Sequence, residues 1–348
     1  MNQLTSFDQI QAVASTTKII SVGTFLPEQV VKSDDLLTEI KSYEQFGIPI
    51  NLVSRFMGIV ERRMSDWDAK PSDLAIPAAK EAIDTSGINP DEIDLVVFCG
   101  IERDQPEPAT AHTIQNKLGL NAQYAFDVSN ACIGFVDGIQ IANKFINSGS
   151  TRYALVVTGE ISTHVLRSVV DELKSGGVTR ERALDCIGSL TVGDAGGAII
   201  LGPADPFENE GFQFFSNTVD SSHIDKCIYR RTPNGIEGQM KMTEILDQCI
   251  EMHSVKVSNT LEKLVWPEFD WLISHQTGYK NFKAFSDFDG INPETMIKTY
   301  TNLGNVTTAT FALSWKKLSS NGKVKKGDRI GGLFSGSGMT ISQFGIYY

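Results

Sequence analysis

Short, continuous apolar segments alternate along the chain with longer segments of helical periodicity. The segments IDLVVFCG (93–100), YALVVTGE (153–160) and GGAIILG (196–202) have the length and composition of strands that are buried on both faces. Residues 72–86 and 109–118 carry apolar positions at helical spacing, and each of these segments ends at a glycine. The alternation of strands and helices predicts an α/β fold with a parallel-rich sheet that is covered by helices.

The second half of the chain repeats this order of elements. We predict a helix near 242–264, a strand within FDWLISHQ (269–276) and a helix near 306–317, followed by closing strands in GDRIGGLFSGSG and SQFGIYY. Two halves with matching order indicate an internal duplication. The expected organisation is an N-terminal tail at 1–16, a first half at 17–202 and a second half at 203–348.

Two stretches, 160–190 and 203–240, carry scattered charges without a clear period. We expect them to form loops, in which substrate pockets are often built.

Composition and charge exclude several classes of function. The net charge is −11 and no cluster of Lys and Arg stands out, so nucleic acid is not an expected partner. No apolar run approaches the roughly 18 residues of a membrane span, and the first residues lack a secretory signal, which predicts a cytoplasmic protein without a membrane span. The five cysteines include no CxxC pair, so we expect reduced thiols, no metal site and no cofactor.

Three polar side chains follow predicted strands or glycine-marked turns: Cys132, His275 and Asn305. Ligands of α/β sheets bind at such strand ends. A thiolate of Cys132 at the start of the helix predicted from Ile133 would be stabilised by the helix dipole and by unpaired backbone N–H groups, which lowers its pKa. Free cysteines are also commonly packed as small hydrophobes, and single histidines commonly belong to the core, so the residues alone leave both interpretations open.

Many ordered segments resemble the ketoacyl-acyl-carrier-protein synthase III family of the thiolase superfamily. They are TKIISVGTFLPEQVVKSDDL, GIVERR, DVSNACIGF, YALVVTGE, VGDAGGAIIL, SHQ, LGNVTTAT and FSGSG. The resemblance implies a thiolase fold, five-layered αβαβα from two similar halves, a homodimer, and the catalytic set Cys132, His275 and Asn305. In these roles Cys132 takes the acyl group from a thioester, and His275 and Asn305 donate hydrogen bonds to the enolate of a second thioester. The backbone N–H groups of Cys132 and Gly336 would form an oxyanion hole for the acyl-cysteine.

Several positions depart from the housekeeping members of that family. Leu52 and Phe56 stand where the family has a Trp and an Arg that hold coenzyme A, and Gly278 in HQTG replaces a usual Asn. Lys280 stands where an Arg contacts the pantetheine-phosphate end of the substrate, so we expect it to bind substrate as a point charge. The expected partners are accordingly acyl carrier protein, acyl-coenzyme A, or both.

Glu107 in RDQPEPATA replaces an apolar residue that reaches the acyl pocket of the neighbouring subunit in the family. It resembles the glutamate of the branch that joins two long acyl thioesters head to head, the olefin-pathway 2-alkyl-3-ketoalkanoate synthases and the pyrone-forming ketosynthases. The resemblance implies that Glu107 of one subunit deprotonates the substrate of the other. A malonyl unit makes its carbanion by losing CO₂, whereas a plain acyl thioester needs a base to remove its α-proton. The simpler interpretation is a glutamate that is solvated or paired with Arg103.

The predicted activity is therefore a non-decarboxylative Claisen condensation of two acyl thioesters. Its β-ketoacyl product would serve a secondary metabolite or a long-chain lipid. One alternative is a decarboxylative 3-oxoacyl-acyl-carrier-protein synthase III that uses a malonyl-carrier donor. Another is a non-condensing partner subunit of a heteromeric ketosynthase.

Overall fold

The computed structural model describes residues 11–12, 17–205, 207–233, 235–264, 268–288 and 291–348. Its strands are β1 (Gln11–Ala12), β2 (Thr17–Phe25), β3 (Gln29–Lys32), β4 (Glu61–Met64), β5 (Ile93–Cys99), β6 (Tyr124–Val128), β7 (Tyr153–Glu160), β8 (Ala195–Pro203), β9 (Gly211–Val219), β10 (Cys227–Thr232), β11 (Gly235–Met240), β12 (Trp271–Ser274), β13 (Arg329–Gly336) and β14 (Thr340–Tyr347). Its α-helices are α1 (Ser33–Glu39), α2 (Ser42–Phe46), α3 (Pro71–Ser86), α4 (Thr110–Leu118), α5 (Gly134–Asn147), α6 (Thr163–Lys174), α7 (Arg180–Cys186), α8 (Met242–Leu264), α9 (Tyr279–Ser286), α10 (Tyr300–Leu303) and α11 (Thr310–Ser319).

Two five-stranded sheets have matching strand order. In the first, β2–β8–β7–β5–β6, strand β8 is antiparallel to both neighbours and β5 is parallel to both of its neighbours. In the second, β1–β9–β14–β13–β12, strand β14 is antiparallel to both neighbours and β12 is parallel to β13. The series β2–β8–β7–β5 and β9–β14–β13–β12 therefore share order and direction, which confirms two similar halves. The predicted tail lies outside the described residues apart from β1, and the boundary at residue 202 stays a prediction.

The two sheets enclose a central layer of two helices, α5 and α11. Phe135 of α5 and Phe311 of α11 lie with ring centroids 5.6 Å apart, in one core that includes the inner faces of both sheets. Helices α3 and α4 cover the outer face of the first sheet, and α8 and α9 cover the second. In β5, Val97 points into the central core while Val96 packs under the outer helices. Burial on both faces explains why the strands are continuously apolar. Among the residues that the structure describes, no helix is both long enough and apolar enough to cross a membrane.

The expectation of loops at 160–190 and 203–240 is wrong. The first stretch contains α6 and α7, and α6 buries Leu166, Val169, Val170 and Leu173 at helical spacing. Charged residues on the exposed face of α6 obscured this period in the sequence. The second stretch contains β9, a strand of the second sheet, and the antiparallel hairpin of β10 and β11.

The close packing of α5 on β5 gives a testable prediction about two glycines. A Cβ at Gly138 would lie 2.3 Å from the Sγ of Cys99, whereas the nearest atom to a Cβ at Gly134 would be 3.7 Å away. We expect Gly138→Ala to lower the free energy of unfolding by about 1–3 kcal/mol through overpacking. Gly134→Ala, one helical turn earlier, should leave it unchanged or raise it by up to about 1 kcal/mol through helix propensity. Urea unfolding measures both variants, and equal stabilities contradict the packing described.

Candidate active site

A strained turn presents Cys132 at the start of the central helix α5. Ala131 has φ = 47°, in the left-handed region that residues other than glycine rarely adopt. The side-chain amide of Asn130 donates to Asp137 Oδ2 over 2.7 Å and so ties the turn to the first turn of the helix. Ile133 and then Gly134 follow, so the thiol lies at the amino end of α5, as the sequence predicts.

His275 and Asn305 reach the same place from the second half of the chain. His275 directly follows β12, and its backbone N–H donates to the carbonyl of Leu333 over 2.8 Å. Asn305 precedes α11, and its Oδ1 accepts the backbone N–H of Thr307 over 3.0 Å. Because the amide oxygen is occupied in this way, the NH₂ group is the end of the Asn305 side chain that is left to donate toward a ligand.

One cavity of about 60 Å³ brings most of the predicted site residues together. Cys132, His275, Asn305 and Gly336 all line it. The remaining lining is largely apolar or sulfur-containing and comes from β10, β11, α8 and the 335–339 segment; it includes Cys227, Met240, Met242, Ile245, Leu246, Cys249 and Met339. Lys280 is exposed on α9 and does not line the cavity. The role of each residue in catalysis stays a prediction at this point.

Burial sets the protonation of the cysteine and the histidine. It raises the pKa of the Cys132 thiol, so the prediction of a lowered pKa is wrong. The lost hydration of a thiolate outweighs the helix terminus, and the nearby Glu160 adds a further unfavourable charge. Burial also lowers the pKa of His275 to about 4, and its Nδ1 has no hydrogen-bond partner among the described residues. The resting pair is therefore a neutral thiol and a neutral imidazole.

Glu160 is a buried carboxylate that the sequence analysis did not single out. It ends β7, is 2% exposed, and accepts hydrogen bonds from the Ile101 backbone N–H (3.1 Å) and from the Thr308 hydroxyl. The Thr158 hydroxyl lies 2.6 Å from that of Thr308. Burial raises the pKa of Glu160 to about 7. The acidic residue at the carboxyl end of YALVVTGE was the signal that could have identified it.

A second, wider cavity of about 430 Å³ also reaches Cys132. Its apolar lining comes from the segments that follow β5 and β7, from α6, and from the hairpin of β10 and β11. The lining residues are Ile101, Ile161, Val165, Ile228, Tyr229 and Ile236. Cys227 and Met240 line both cavities and lie where the two meet. Two largely apolar cavities thus share one thiol in their lining.

Glu107 lies apart from this centre within its own chain. It is exposed on the loop before α4 and lines neither cavity. The alternative pairing with Arg103 is absent, because Arg103 lies instead 3.7 Å from Asp127, and no described side chain pairs with Glu107. Asp127 of β6 also accepts the backbone N–H groups of Thr110 and Ala111, both at 2.9 Å. The loop that carries Glu107 is thereby fixed to β6, the edge strand of the first sheet.

The departure at HQTG has a steric explanation. Gly278 has φ = 135°, and a Cβ there would lie 2.8 Å from the carbonyl oxygen of Met57. The next backbone N–H, of Tyr279, donates to that carbonyl over 2.7 Å. The segment that contains Leu52 and Phe56 is thus held against the start of α9, and only glycine fits between them.

The described residues contain no group of three His, Cys, Asp or Glu side chains that could hold a metal ion. The two cavities present a thiol, hydrogen-bond donors and the carboxyl groups of Glu102 and Glu160.

Comparison with known proteins identifies related families. Residues 126–222 match the family model of 3-oxoacyl-[acyl-carrier-protein] synthase III, and residues 262–346 match the model of its C-terminal part. The acyl-CoA:acyl-CoA alkyltransferase of Xanthomonas campestris is 29% identical over 312 residues, which cover 86% of this chain and 89% of the relative. The β-ketoacyl-[acyl-carrier-protein] synthase III of Ehrlichia canis is also 29% identical, over 317 residues that cover 89% of this chain and 92% of the relative.

Solved structures of OleA from Xanthomonas campestris have the same fold. The cerulenin-bound enzyme is 26% identical, with a TM-score of 0.89 over 96% of this chain and 97% of the other. An OleA variant with bound lauric acid and lauroyl-CoA is 25% identical, with a TM-score of 0.88 over 97% of this chain and 100% of the other. The similarity covers both halves, so the five-layered thiolase architecture is that of these enzymes.

The raised pKa of Glu160 predicts how stability depends on pH. Between about pH 4.5 and pH 7 the unfolded chain releases this proton while the folded chain keeps it, so the contribution of Glu160 to stability is lost as the pH rises through 7. We expect the free energy of unfolding of the wild type, relative to Glu160→Gln, to fall by on the order of 2 kcal/mol between pH 5 and pH 8. Urea unfolding at intervals across this range measures the difference. A constant difference between the two proteins contradicts the assignment.

Proposed function

The chain belongs to the 3-oxoacyl-[acyl-carrier-protein] synthase III family of the thiolase superfamily and is a carbon–carbon bond-forming acyltransferase; from this premise we propose that it condenses two acyl thioesters without decarboxylation. The observation that carries the proposal is the largely apolar cavity of about 430 Å³ that meets the narrow cavity of Cys132, His275 and Asn305 at the thiol. A malonyl donor brings a short, charged unit to the thiol. A long acyl chain instead needs apolar space beside the thiol, and the wider cavity offers it.

In the first step, Cys132 takes up one acyl chain. The sulfur attacks the thioester carbonyl, the bond from that carbon to the carrier sulfur breaks, and the thiol proton leaves with the carrier thiol. The neutral resting thiol suits a buried acyl pocket because no charge has to be held there before substrate binds. The N–H groups of Cys132 and Gly336 stabilise the oxyanion of the tetrahedral intermediate.

In the second step, the other acyl thioester forms the new bond. Glu107 of the partner subunit removes its α-proton, and His275 and Asn305 donate hydrogen bonds to the enolate oxygen. A neutral His275 is the form that this role needs, since its N–H can donate without carrying a charge. The α-carbon attacks the acyl-cysteine carbonyl, the Cys132 sulfur leaves, and the proton returns to it. The product is a β-ketoacyl thioester.

We propose a homodimer joined at the β6 edge of the first sheet. An edge strand offers unpaired N–H and C=O groups for pairing with a second copy. Tyr124 on this strand is 38% exposed, which leaves an apolar ring at the same edge. Asp127 fixes the Glu107 loop to β6, so dimerisation there carries Glu107 toward the other subunit.

The proposed substrates are acyl-CoA, acyl carrier protein, or both, in the cytoplasm. One relative is named for acyl-CoA and another for acyl carrier protein. Lys280 follows Gly278 on the exposed start of α9, a position from which an ammonium group can contact the phosphate of either carrier. The product would supply a long-chain lipid or a secondary metabolite.

A decarboxylative synthase III remains the second candidate, because the Ehrlichia canis synthase is as similar in sequence as the alkyltransferase. A non-condensing partner subunit is disfavoured by the complete set of Cys132, His275 and Asn305 in one cavity.

A long-chain acyl-CoA supplied alone separates these candidates. We expect a β-ketoacyl product without any malonyl donor. Glu107→Gln should slow its formation by at least about 100-fold because general-base catalysis is lost, while the acyl adduct on Cys132 still appears by mass spectrometry. Cys132→Ala is the control that removes the adduct itself. Strict dependence on a malonyl donor, with release of CO₂, contradicts the proposal.

Mixed dimers test whether Glu107 acts across the subunit interface. Cys132→Ala subunits and Glu107→Gln subunits are each expected to be inactive alone. In a mixed dimer, the site that keeps Cys132 faces a partner that keeps Glu107, so co-expression with two affinity tags should restore roughly half of the wild-type activity per dimer. Mixed dimers as inactive as the parents would place the base within one subunit, or assign it to another residue.

A further inference from the structure

A second histidine, His253, lies fully buried beside the turn that carries Gly336. It belongs to α8, one face of which lines the narrow cavity through Ile245 and Cys249. Because these residues are spaced by four, His253 continues the same face one turn beyond the cavity. Its ring meets Phe285 edge to face, with centroids 5.1 Å apart.

Hydrogen bonds connect this imidazole to both strands that form the turn. The side-chain amide of Gln343, in β14, donates to His253 Nδ1 over 3.1 Å. The ring proton is therefore on Nε2, which lies 2.9 Å from the hydroxyl oxygen of Ser335 in β13. Burial lowers the pKa of His253 to about 3, which keeps this tautomer neutral and the direction of the two bonds fixed.

Burial of a polar imidazole ring at position 253 costs free energy. A buried imidazole needs partners for both nitrogens, whereas an apolar side chain would satisfy the core without them. Ser335 directly precedes Gly336 and lines the same cavity. A hydrogen bond from the Ser335 hydroxyl also reaches Cys249, where it partly offsets the burial that raises the pKa of that thiol to about 11.

We propose that His253 is a positioning residue that holds Ser335, and through it the backbone N–H of Gly336, in place for the oxyanion of acyl-Cys132. This inference rests on the proposed function for the role of Gly336. An oxyanion-hole donor acts only within a narrow range of distance, and removal of one such donor costs about 10²–10³ in rate. A displaced turn should therefore slow the acylation of Cys132 and leave substrate binding nearly unchanged.

The test measures acyl-Cys132 formation from a long-chain acyl-CoA by rapid quench and intact-protein mass spectrometry. His253→Phe should slow acylation about 10- to 100-fold with half-saturation by acyl-CoA changed less than about twofold. His253→Gln should recover most of the rate, because its amide N–H can still donate to Ser335. Ser335→Ala should slow the step similarly. The double variant His253→Phe/Ser335→Ala should be no slower than either single variant, because each substitution removes the same hydrogen bond between His253 and Ser335.

Phe285→Leu is the structural control. It disturbs the ring packed on His253 without touching Ser335, so it should lower the unfolding temperature and leave the acylation rate unchanged. If His253→Phe acylates at the wild-type rate, if His253→Gln is as slow as His253→Phe, or if the two losses multiply in the double variant, the inference is wrong. Absence of any acyl adduct on wild-type Cys132 would instead overturn the proposed function.

Discussion

The packing of α5 against α11 is the constraint on which the site depends. Each helix is the corresponding element of its half. Cys132 lies in the turn just before α5, and Asn305 lies just ahead of the short 3₁₀ turn Thr307–Ala309 that leads into α11. The nearest atom to a Cβ at Gly134, at the start of α5, belongs to Thr308, just before α11. Within the first turn of each helix, the rings of Phe135 and Phe311 pack together. Duplication therefore makes the amino ends of two helices neighbours.

The low polarity of this junction determines the chemistry that it can perform. The same burial raises the pKa values of Cys132 and Glu160 and lowers those of His275 and His253. A thiolate–imidazolium pair would have to be held without hydration, which is expensive in such a site. Neutral hydrogen-bond donors carry no such cost, and they are most effective where water is excluded. The site is accordingly suited to stabilising a charge that develops during reaction rather than one that is present beforehand.

Much of this arrangement could be predicted from the sequence, and the failures have physical causes. Strands that are buried on both faces form apolar runs, and Cys132, His275 and Asn305 follow strands or a glycine-marked turn, so the fold and the converging residues could be predicted. The sequence did not predict α6, because charged residues on its exposed face mask the helical spacing of its four buried apolar residues. The direction of the pKa shift of Cys132 was predicted wrongly. The helix terminus can be read from the local sequence, whereas the burial that raises the pKa depends on residues that are distant in the chain. His253 could not be found at all, since its partners Ser335 and Gln343 lie 82 and 90 residues away.

The proposed base from the partner subunit agrees with the way in which the carboxylates of the two cavities are held. Glu102 and Glu160 are the carboxylates that line the two cavities in the described residues. Glu160 is held by the Ile101 N–H and the Thr308 hydroxyl, and Glu102 is paired with Arg231 at 2.7 Å and lies 3.5 Å from His164. A carboxylate that is held in this way cannot turn toward the α-carbon of a substrate without losing these hydrogen bonds and ion pairs. No described side chain pairs with Glu107, and its loop is held at a sheet edge, so its position agrees with the proposal that it acts on the substrate of the other subunit.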